Sequence, residues 1–247
     1  MIKKNVNEAY KNYSEIAKHV SDDRLYILSG RYSFMRKKYN LIFEDIFQKL
    51  EINKKDDILD IGTGDGELIK LLSKKTKSAT TIDSPSVIDR ISKDKKIKYI
   101  KGHLIRDKIK FKKKFSKILV YSVIQYFQNT KEVNNFIKLI IKLLKDNGSI
   151  LIGDIPNADM NLRYKKTKDF KKLSKEFNKK RNSNFSEIDK KFHNMFFQKK
   201  NIIFNDKLLF LLLKKYNTKN VEAYILPQRN GLPYNVNRVD LLIKKRW

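Results

Sequence analysis

The feature that most constrains the fold is a glycine-rich loop between a short apolar run and a second, amphipathic one. The residues are Ile58-Leu59-Asp60-Ile61-Gly62-Thr63-Gly64-Asp65-Gly66-Glu67-Leu68, with glycine at every second position of the loop. Glycine adopts backbone conformations that other residues avoid, and its missing side chain lets a ligand reach the N–H groups at the start of a helix. The segment therefore predicts a strand, a ligand-binding turn and a helix in succession.

Strand and helix signals alternate along the rest of the chain. Apolar runs predict strands at 57–61, 79–83, 97–100, 116–122, 149–154, 221–226 and 236–243, and helices at 5–20, 32–50, 67–73, 87–92, 131–144 and 206–216. Asn147-Gly148 is expected to end the helix before the fifth strand. This alternation predicts an α/β protein with a Rossmann-like, doubly wound, mostly parallel sheet of seven strands. The last two strands, joined by a Pro/Gly loop, are expected to form an antiparallel hairpin.

The whole chain is expected to form a single domain, because no linker or internal repeat divides its 247 residues. In this interpretation 1–50 is a helical N-terminal lid that includes Tyr13, and 51–157 is a cofactor-binding core. A basic helical insertion follows the fifth strand at 158–218, and 219–247 supplies the closing strands.

Acidic residues around the glycine loop discriminate between nucleotide ligands. Asp83 ends the second strand, 17 residues after Gly66, and is placed to accept hydrogen bonds from two ribose hydroxyls. A dinucleotide site has the spacing Gly-x-Gly-x-x-Gly, whereas this loop has Gly-x-Gly-x-Gly with Asp60, Asp65 and Glu67 around it. Three carboxylates would repel a pyrophosphate. They favour a ligand that carries an ammonium and a sulfonium but no phosphate, as S-adenosylmethionine does.

On these residues the sequence resembles the class I S-adenosylmethionine-dependent methyltransferases over about 56–157. Asp-x-Gly-x-Gly-x-Gly at 60–66 is similar to the first motif of the family, and Asp83 to its ribose-binding acid. His103 stands where the family usually has an acidic residue near the adenine. The resemblance implies S-adenosylmethionine as cofactor and S-adenosylhomocysteine as product. It also implies a cofactor site made of Asp60, Gly62, Thr63, Gly64, Gly66, Asp83, Ser84, His103, Leu104, Tyr121 and Ser122.

Three further segments carry a narrower resemblance. Gly153-Asp154-Ile155-Pro156-Asn157, 224–228 and 237–243 are similar to the small methyltransferases of bacterial surface-polysaccharide gene sets. This resemblance implies O-methylation of a small sugar, nucleotide-sugar, or phosphoramidate or phosphate precursor of capsule or lipopolysaccharide.

The same end of the sheet supplies the expected substrate-binding residues. Asp154 and Asn157 follow strand five, at the edge where doubly wound sheets place their ligands. Arg31, Arg163, Arg229 and Arg238 are scarce, directional anion binders in a lysine-rich chain, and Arg163 and Arg238 are the two expected to hold an anionic group of the acceptor. Helix capping is the competing role for the first two residues, and a surface salt bridge is the competing role for any of these arginines.

Methyl transfer requires alignment of the acceptor and needs a base only where the acceptor is protonated. His193 is the predicted base, because it lies in the insertion that should fold over the cleft, although a packing or surface histidine is equally compatible. Tyr126 and Gln125, in the motif after the fourth strand, are predicted to orient the acceptor.

Composition leaves a second functional class open. The net charge is +29, and 46 lysines and 10 arginines make up the 56 basic residues. Between Arg163 and Lys200 there are 14 basic against 4 acidic residues. This charge suggests an RNA or DNA methyltransferase as the alternative, but lysine is the less directional phosphate binder, so nucleic acid is not favoured. A non-catalytic protein that keeps the fold is a second alternative, which the intact glycine loop disfavours.

The remaining expectations come from what the composition lacks. Without cysteine and with only three histidines, no metal site is expected. The longest apolar run, at 208–213, is too short to span a bilayer, and no targeting signal is visible, so a cytoplasmic location is expected.

Overall fold

A computed structural model of the chain describes residues 8–182, residue 190 and residues 201–246, with side chains from residue 11 onward. Within these residues seven strands form one sheet, namely β1 (Asp57–Ile61), β2 (Ser78–Asp83), β3 (Ile97–Lys101), β4 (Phe115–Tyr121), β5 (Leu144–Pro156), β6 (Val221–Pro227) and β7 (Arg238–Lys245). The helices are α1 (Glu8–His19), α2 (Tyr39–Leu50), α3 (Glu67–Ser73), α4 (Pro85–Arg90), α5 (Thr130–Leu143), α6 (Ala158–Lys165), α7 (Lys168–Asn182) and α8 (Asp206–Tyr216). Short 3₁₀ helices occupy Asp22–Ser29, Ser33–Lys38, Ile124–Tyr126 and Asn235–Asn237.

The strand order of the sheet is β3-β2-β1-β4-β5-β7-β6. Strands β1 to β5 are parallel, while β7 pairs antiparallel with both β5 and β6. The order reverses between β1 and β4, and ligands of doubly wound sheets bind at such a switch point, outside the carboxyl ends of the strands. The expected fold class is therefore confirmed, including the antiparallel C-terminal hairpin.

Helices cover both faces of the central strands, which explains why every residue of β1 is buried. On one face α5 and α8 pack through the apolar side chains of Val133, Phe136, Ile140, Leu209 and Leu212. On the other face α2 and α3 contribute Ile42, Ile46, Leu50, Ile69 and Leu72.

A smaller cluster attaches the N-terminal segment to the core. Ala17 and Val20 pack with Tyr26, Ile27 and Leu28 of the first 3₁₀ helix, and with Val87 of α4. This packing sets the segment beside the glycine loop, which lies just before α3 in the chain.

Several predicted boundaries differ from the observed ones, and two of the differences have a clear structural cause. The helix expected at 32–50 begins with a 3₁₀ turn, and α2 starts only at Tyr39. The helix before β5 ends at Leu143, four residues before Asn147-Gly148, because Leu144 already pairs with Phe115 of β4. Asn147, with φ of +58°, lies in the irregular part of β5 that follows.

The described residues of the insertion after β5 are mainly helical, as expected. Helix α7 has no buried residue, but half-buried Phe177 contacts Tyr32, Phe34 and Tyr234 with ring centroids 5.5 to 5.7 Å apart. Across the described ranges, every helix is too short or too polar to cross a lipid bilayer.

Candidate active site

The glycine loop after β1 has the backbone conformation that its sequence implies. Gly62, Gly64 and Gly66 have φ of +83°, +59° and +78°, in the left-handed region. At Gly64 a Cβ atom would meet the Ser29 hydroxyl and, at 3.0 Å, the carbonyl oxygen of Leu28. The loop thus requires glycine both for its turn and for its close contact with the N-terminal segment.

Asp83, at the end of β2, faces this loop. Its Oδ2 accepts a hydrogen bond from the Gly64 N–H at 3.1 Å, and its Oδ1 accepts one from the Ser84 N–H at 2.7 Å. Burial raises the pKa of Asp83 to about 6, against the opposing effect of these N–H donors. Each carboxylate oxygen keeps a further lone pair for a ligand hydroxyl.

Two more buried carboxyls belong to the same loop. Burial raises the pKa of Asp60 to about 7, and the charges of Asp83 and Asp65 add to the shift. Burial also raises the pKa of Asp65, although Tyr39 and Ser29 both donate hydrogen bonds to this carboxylate. The three acids make this end of the cavity favourable for a cation.

Arg31 supplies the complementary charge and was not assigned to the cofactor from sequence. Its side chain is buried in the cavity wall, with the guanidinium 5.9 Å from the centroid of the Tyr39 ring and 5.6 Å from that of Tyr121. Burial lowers the pKa of Arg31, but the combined effect of Asp154, Tyr121, Tyr39 and Asp65 is larger, so the pKa lies above its ordinary value. Within the described part of the chain Nε of Arg31 has no hydrogen-bond partner. A buried guanidinium in this state is suited to an anionic ligand group.

Another part of the cavity lining is less polar. Leu104 is buried and His103 half-buried, and both line the cavity together with Val87, Phe127 and Phe136. Burial lowers the pKa of His103, with a further contribution from Arg106, which favours a neutral imidazole at pH 7. Ser84, also in the lining, caps α4 by accepting a hydrogen bond from the Val87 N–H at 3.3 Å.

The end of β4 completes the wall, and the end of β5 lies beside it. Tyr121 and Ser122 line the cavity, and the Ser122 hydroxyl donates a hydrogen bond to Asp154. Arg238 lies next to Asp154, with Nε 3.7 Å from Oδ1.

A pair of phenols lies beside these strand ends. The hydroxyls of Tyr13 on α1 and Tyr126 after β4 are 2.8 Å apart, and both residues line the cavity. Gln125 precedes Tyr126 in the same 3₁₀ helix, and its buried Oε1 has no hydrogen-bond partner among the described residues.

Two expected acceptor-binding residues are engaged elsewhere. Asn157 caps α6, accepting from the N–H groups of Asp159 and Met160, and its amide donates to Asp206. Arg163 is exposed and pairs with Asp206 at 2.6 Å. Neither residue lines the cavity, and the same is true of Asp154 and Arg238, so the predicted contact of these four residues with the acceptor stays a prediction. His193 lies outside the described residues.

The cavity lining combines groups that suit the parts of a zwitterionic nucleoside. It offers carboxyls near Gly62 and Gly64, a guanidinium at Arg31, a hydroxyl-binding acid at Asp83 and an apolar wall at Leu104. A seven-stranded sheet in this order, with such a loop after β1, defines a Rossmann-like methyltransferase fold.

Sequence comparison gives the family. A family model described as a methyltransferase domain matches residues 30–217, so the chain belongs to that family. It is an S-adenosylmethionine-dependent methyltransferase, as expected from its motifs. A search of curated protein sequences finds no match.

Solved structures share the fold at low sequence identity. The N-methyltransferase NodS from Bradyrhizobium japonicum WM9, in complex with S-adenosyl-L-homocysteine, superposes with a TM-score of 0.60 at 14% identity, covering 97% of this chain and 99% of that one. The plantazolicin methyltransferase BpumL, also in complex with S-adenosyl-L-homocysteine, has a TM-score of 0.61 at 14% identity, covering 97% and 96%.

Proposed function

We propose that this protein is an O-methyltransferase whose acceptor is a small sugar, nucleotide-sugar, or phosphoramidate or phosphate precursor of surface polysaccharide. The observation that carries the cofactor part of this proposal is the pairing of an acidic loop with a buried guanidinium in one cavity. S-Adenosylmethionine supplies an electrophilic methyl group on a sulfonium when it is bound. The protein's own residues then have to hold the nucleoside and align the acceptor.

The residues divide into three parts along the cavity. Asp83 would accept hydrogen bonds from the ribose hydroxyls, and Asp60 and Asp65 would balance the positive charges of the ligand. Arg31 would hold the α-carboxylate, since it is the buried cation in the cavity lining. His103 and Leu104 would contact the adenine.

The acceptor side is the region around Ser122, Tyr126 and Asp154. Arg238 supports an acceptor with an anionic group, because its guanidinium lies at the start of β7 beside these residues. The surface-polysaccharide assignment rests on the motifs at 153–157, 224–228 and 237–243. The lid at 1–50, the core at 51–157, the insertion at 158–218 and the closing strands at 219–247 remain our proposed subdivision. The cytoplasmic location also remains a prediction.

The test is a turnover screen that measures formation of S-adenosylhomocysteine with a panel of acceptors. Nucleotide-linked sugars, sugar phosphates and phosphoramidates form the main arm, and generic RNA and DNA form the second arm. We expect turnover in the main arm only. Turnover on nucleic acid, with an affinity that falls steeply with salt, would replace this proposal by the nucleic-acid alternative.

A further inference from the structure

The carboxyl ends of β4 and β5 carry two residues with unusual backbone conformations. Ser122 has φ of +59° and Asp154 φ of +60°, in the region that residues with a Cβ rarely adopt. The strands are neighbours in the sheet, and the side chains of these two residues are hydrogen-bonded to each other. Such conformations persist only where the surroundings enforce them, and they cluster at functional sites.

A buried network holds the backbone of Asp154 in this conformation. Asp240 is fully buried, and its Oδ1 accepts a hydrogen bond from the Asp154 N–H at 2.8 Å. Lys49 on α2 donates to Asp240 Oδ2 at 2.7 Å, to Asp45 at 2.7 Å and to the Pro227 carbonyl at 2.9 Å. Three elements therefore fix the end of β5, and the Asp154 side chain takes no part in this support.

That side chain is instead hydrogen-bonded to a residue that lines the cavity. Ser122, which lines the cavity, donates to Oδ2, while Oδ1 accepts no hydrogen bond within the described part of the chain. The guanidinium of Arg238 forms an ion pair with Oδ1, at 3.7 Å from Nε, and lies over the Tyr234 ring, 5.3 Å from its centroid. Oδ1 is thus ion-paired with Arg238 but keeps hydrogen-bond acceptor capacity for a ligand hydroxyl.

We propose that Asp154 is the base of the methyl-transfer reaction, with Ser122 as its positioning residue. The proposal rests on the function proposed above and narrows the acceptor atom to a protonated oxygen, a hydroxyl. As the acceptor's lone pair forms its bond to the methyl carbon, the acceptor proton passes to Asp154 Oδ1, and the electron pair of the broken C–S bond stays on sulfur.

This assignment has a consequence for the acceptor. A carboxylate next to the transfer point repels an anionic nucleophile. A phosphate or phosphoramidate in the substrate is then a recognition group held at a distance, and the methyl group goes to a hydroxyl elsewhere in the molecule. Asp154 takes the role predicted for His193.

The experiment compares two cofactor analogues and needs no acceptor. Sinefungin carries an amine at the position of the transferable methyl group, whereas S-adenosylhomocysteine carries nothing there. We would measure the Kd of both ligands by calorimetry for the wild type, Asp154→Asn and Ser122→Ala. The matched control is Asp146→Asn, which alters an exposed aspartate at the opposite end of the same strand.

We expect Asp154→Asn to raise the Kd of sinefungin by about tenfold or more, because one charge-assisted hydrogen bond is lost. The Kd of S-adenosylhomocysteine should change by less than about threefold. Ser122→Ala should weaken sinefungin selectively by about threefold and keeps the test decisive if Asp154→Asn does not fold. An unchanged ratio of the two Kd values in both variants would overturn the assignment. Failure of the wild type to bind S-adenosylhomocysteine would overturn the proposed cofactor site and, with it, this base.

Discussion

Replacing Asp60 by asparagine should stabilise the ligand-free protein at high pH and weaken cofactor binding. The carboxyl is buried, and its pKa rises from the ordinary value of 3.8 to about 7. The folded state therefore keeps a proton that the unfolded chain has already lost, so stability falls as pH increases through this window. Each pKa unit corresponds to about 1.4 kcal/mol, and two units lie between about pH 5 and pH 7. Ionisation of Asp60 should thus lower the free energy of unfolding of the wild type by about 3 kcal/mol over that range, and the Asp60→Asn variant should not show this loss.

Urea unfolding at about pH 5 and pH 8 measures the effect for the wild type, Asp60→Asn and Asp89→Asn. The Asp89 carboxylate is exposed and pairs with Lys101 at 2.6 Å, so its variant is the control and should follow the wild type. Parallel pH profiles for the wild type and Asp60→Asn, within about 0.5 kcal/mol, would refute the burial argument. Calorimetry at about pH 8 should show weaker binding of S-adenosylhomocysteine to Asp60→Asn, because the ligand's ammonium loses a counter-charge.

Three further predictions concern the walls of the cavity. Gly64→Ala should lower the free energy of unfolding by about 2 kcal/mol and weaken cofactor binding, because φ is +59° and the Ser29 hydroxyl occupies the space of the new Cβ. The control is Gly231→Ala, at a glycine that also has a left-handed backbone but whose added Cβ would meet only Leu41 among the described residues. It should lower the Tm and leave cofactor affinity intact. Tyr13→Phe and Tyr126→Phe should each cost about 1 kcal/mol in urea unfolding, and additive losses in the double variant would rule out the contact between their hydroxyls. Arg31→Gln should weaken S-adenosylhomocysteine by about tenfold but leave 5′-methylthioadenosine, which has no carboxylate, unchanged; equal losses for both ligands would exclude the carboxylate contact.

The order of strands and helices follows from the sequence because the periodicity of apolar residues is a local signal. The bounds of β1, α3 and α8 agree with the predicted ranges to the residue. Where local signals failed, a tertiary contact decided the outcome. Pairing of Leu144 with Phe115 starts β5 before the Asn147-Gly148 signal, and packing against Val87 shapes the 3₁₀ helix at Asp22–Ser29.

Cavity residues near the glycine loop were equally accessible from sequence, because Asp60, Gly64 and Asp83 belong to one local pattern. The position of Arg31 in the cavity could not be predicted from the sequence, because its flanking residues do not show that its guanidinium lies buried near the rings of Tyr39 and Tyr121. The roles of Asn157 and Arg163 also depend on a distant residue, Asp206, which comes close only through the folding of α8.

The left-handed conformations at Ser122 and Asp154 could not be predicted from the sequence either, because the residue type alone does not determine them. They depend on Asp240 and Lys49, which lie 86 and 105 positions away from Asp154 along the chain. A network assembled from α2, β5 and β7 is a property of the fold, so the proposed base emerges only from the structure.

The most direct test of the central claim is a calorimetric titration of the full chain with S-adenosylhomocysteine, with Asp83→Ala and Asp89→Asn as the paired variants. We expect one molecule to bind per chain, a loss of at least about thirtyfold in affinity for Asp83→Ala, and no change for Asp89→Asn. A wild-type titration without heat or saturation, or an Asp83→Ala variant that binds as tightly as the wild type, would contradict the assignment of this cavity to the cofactor.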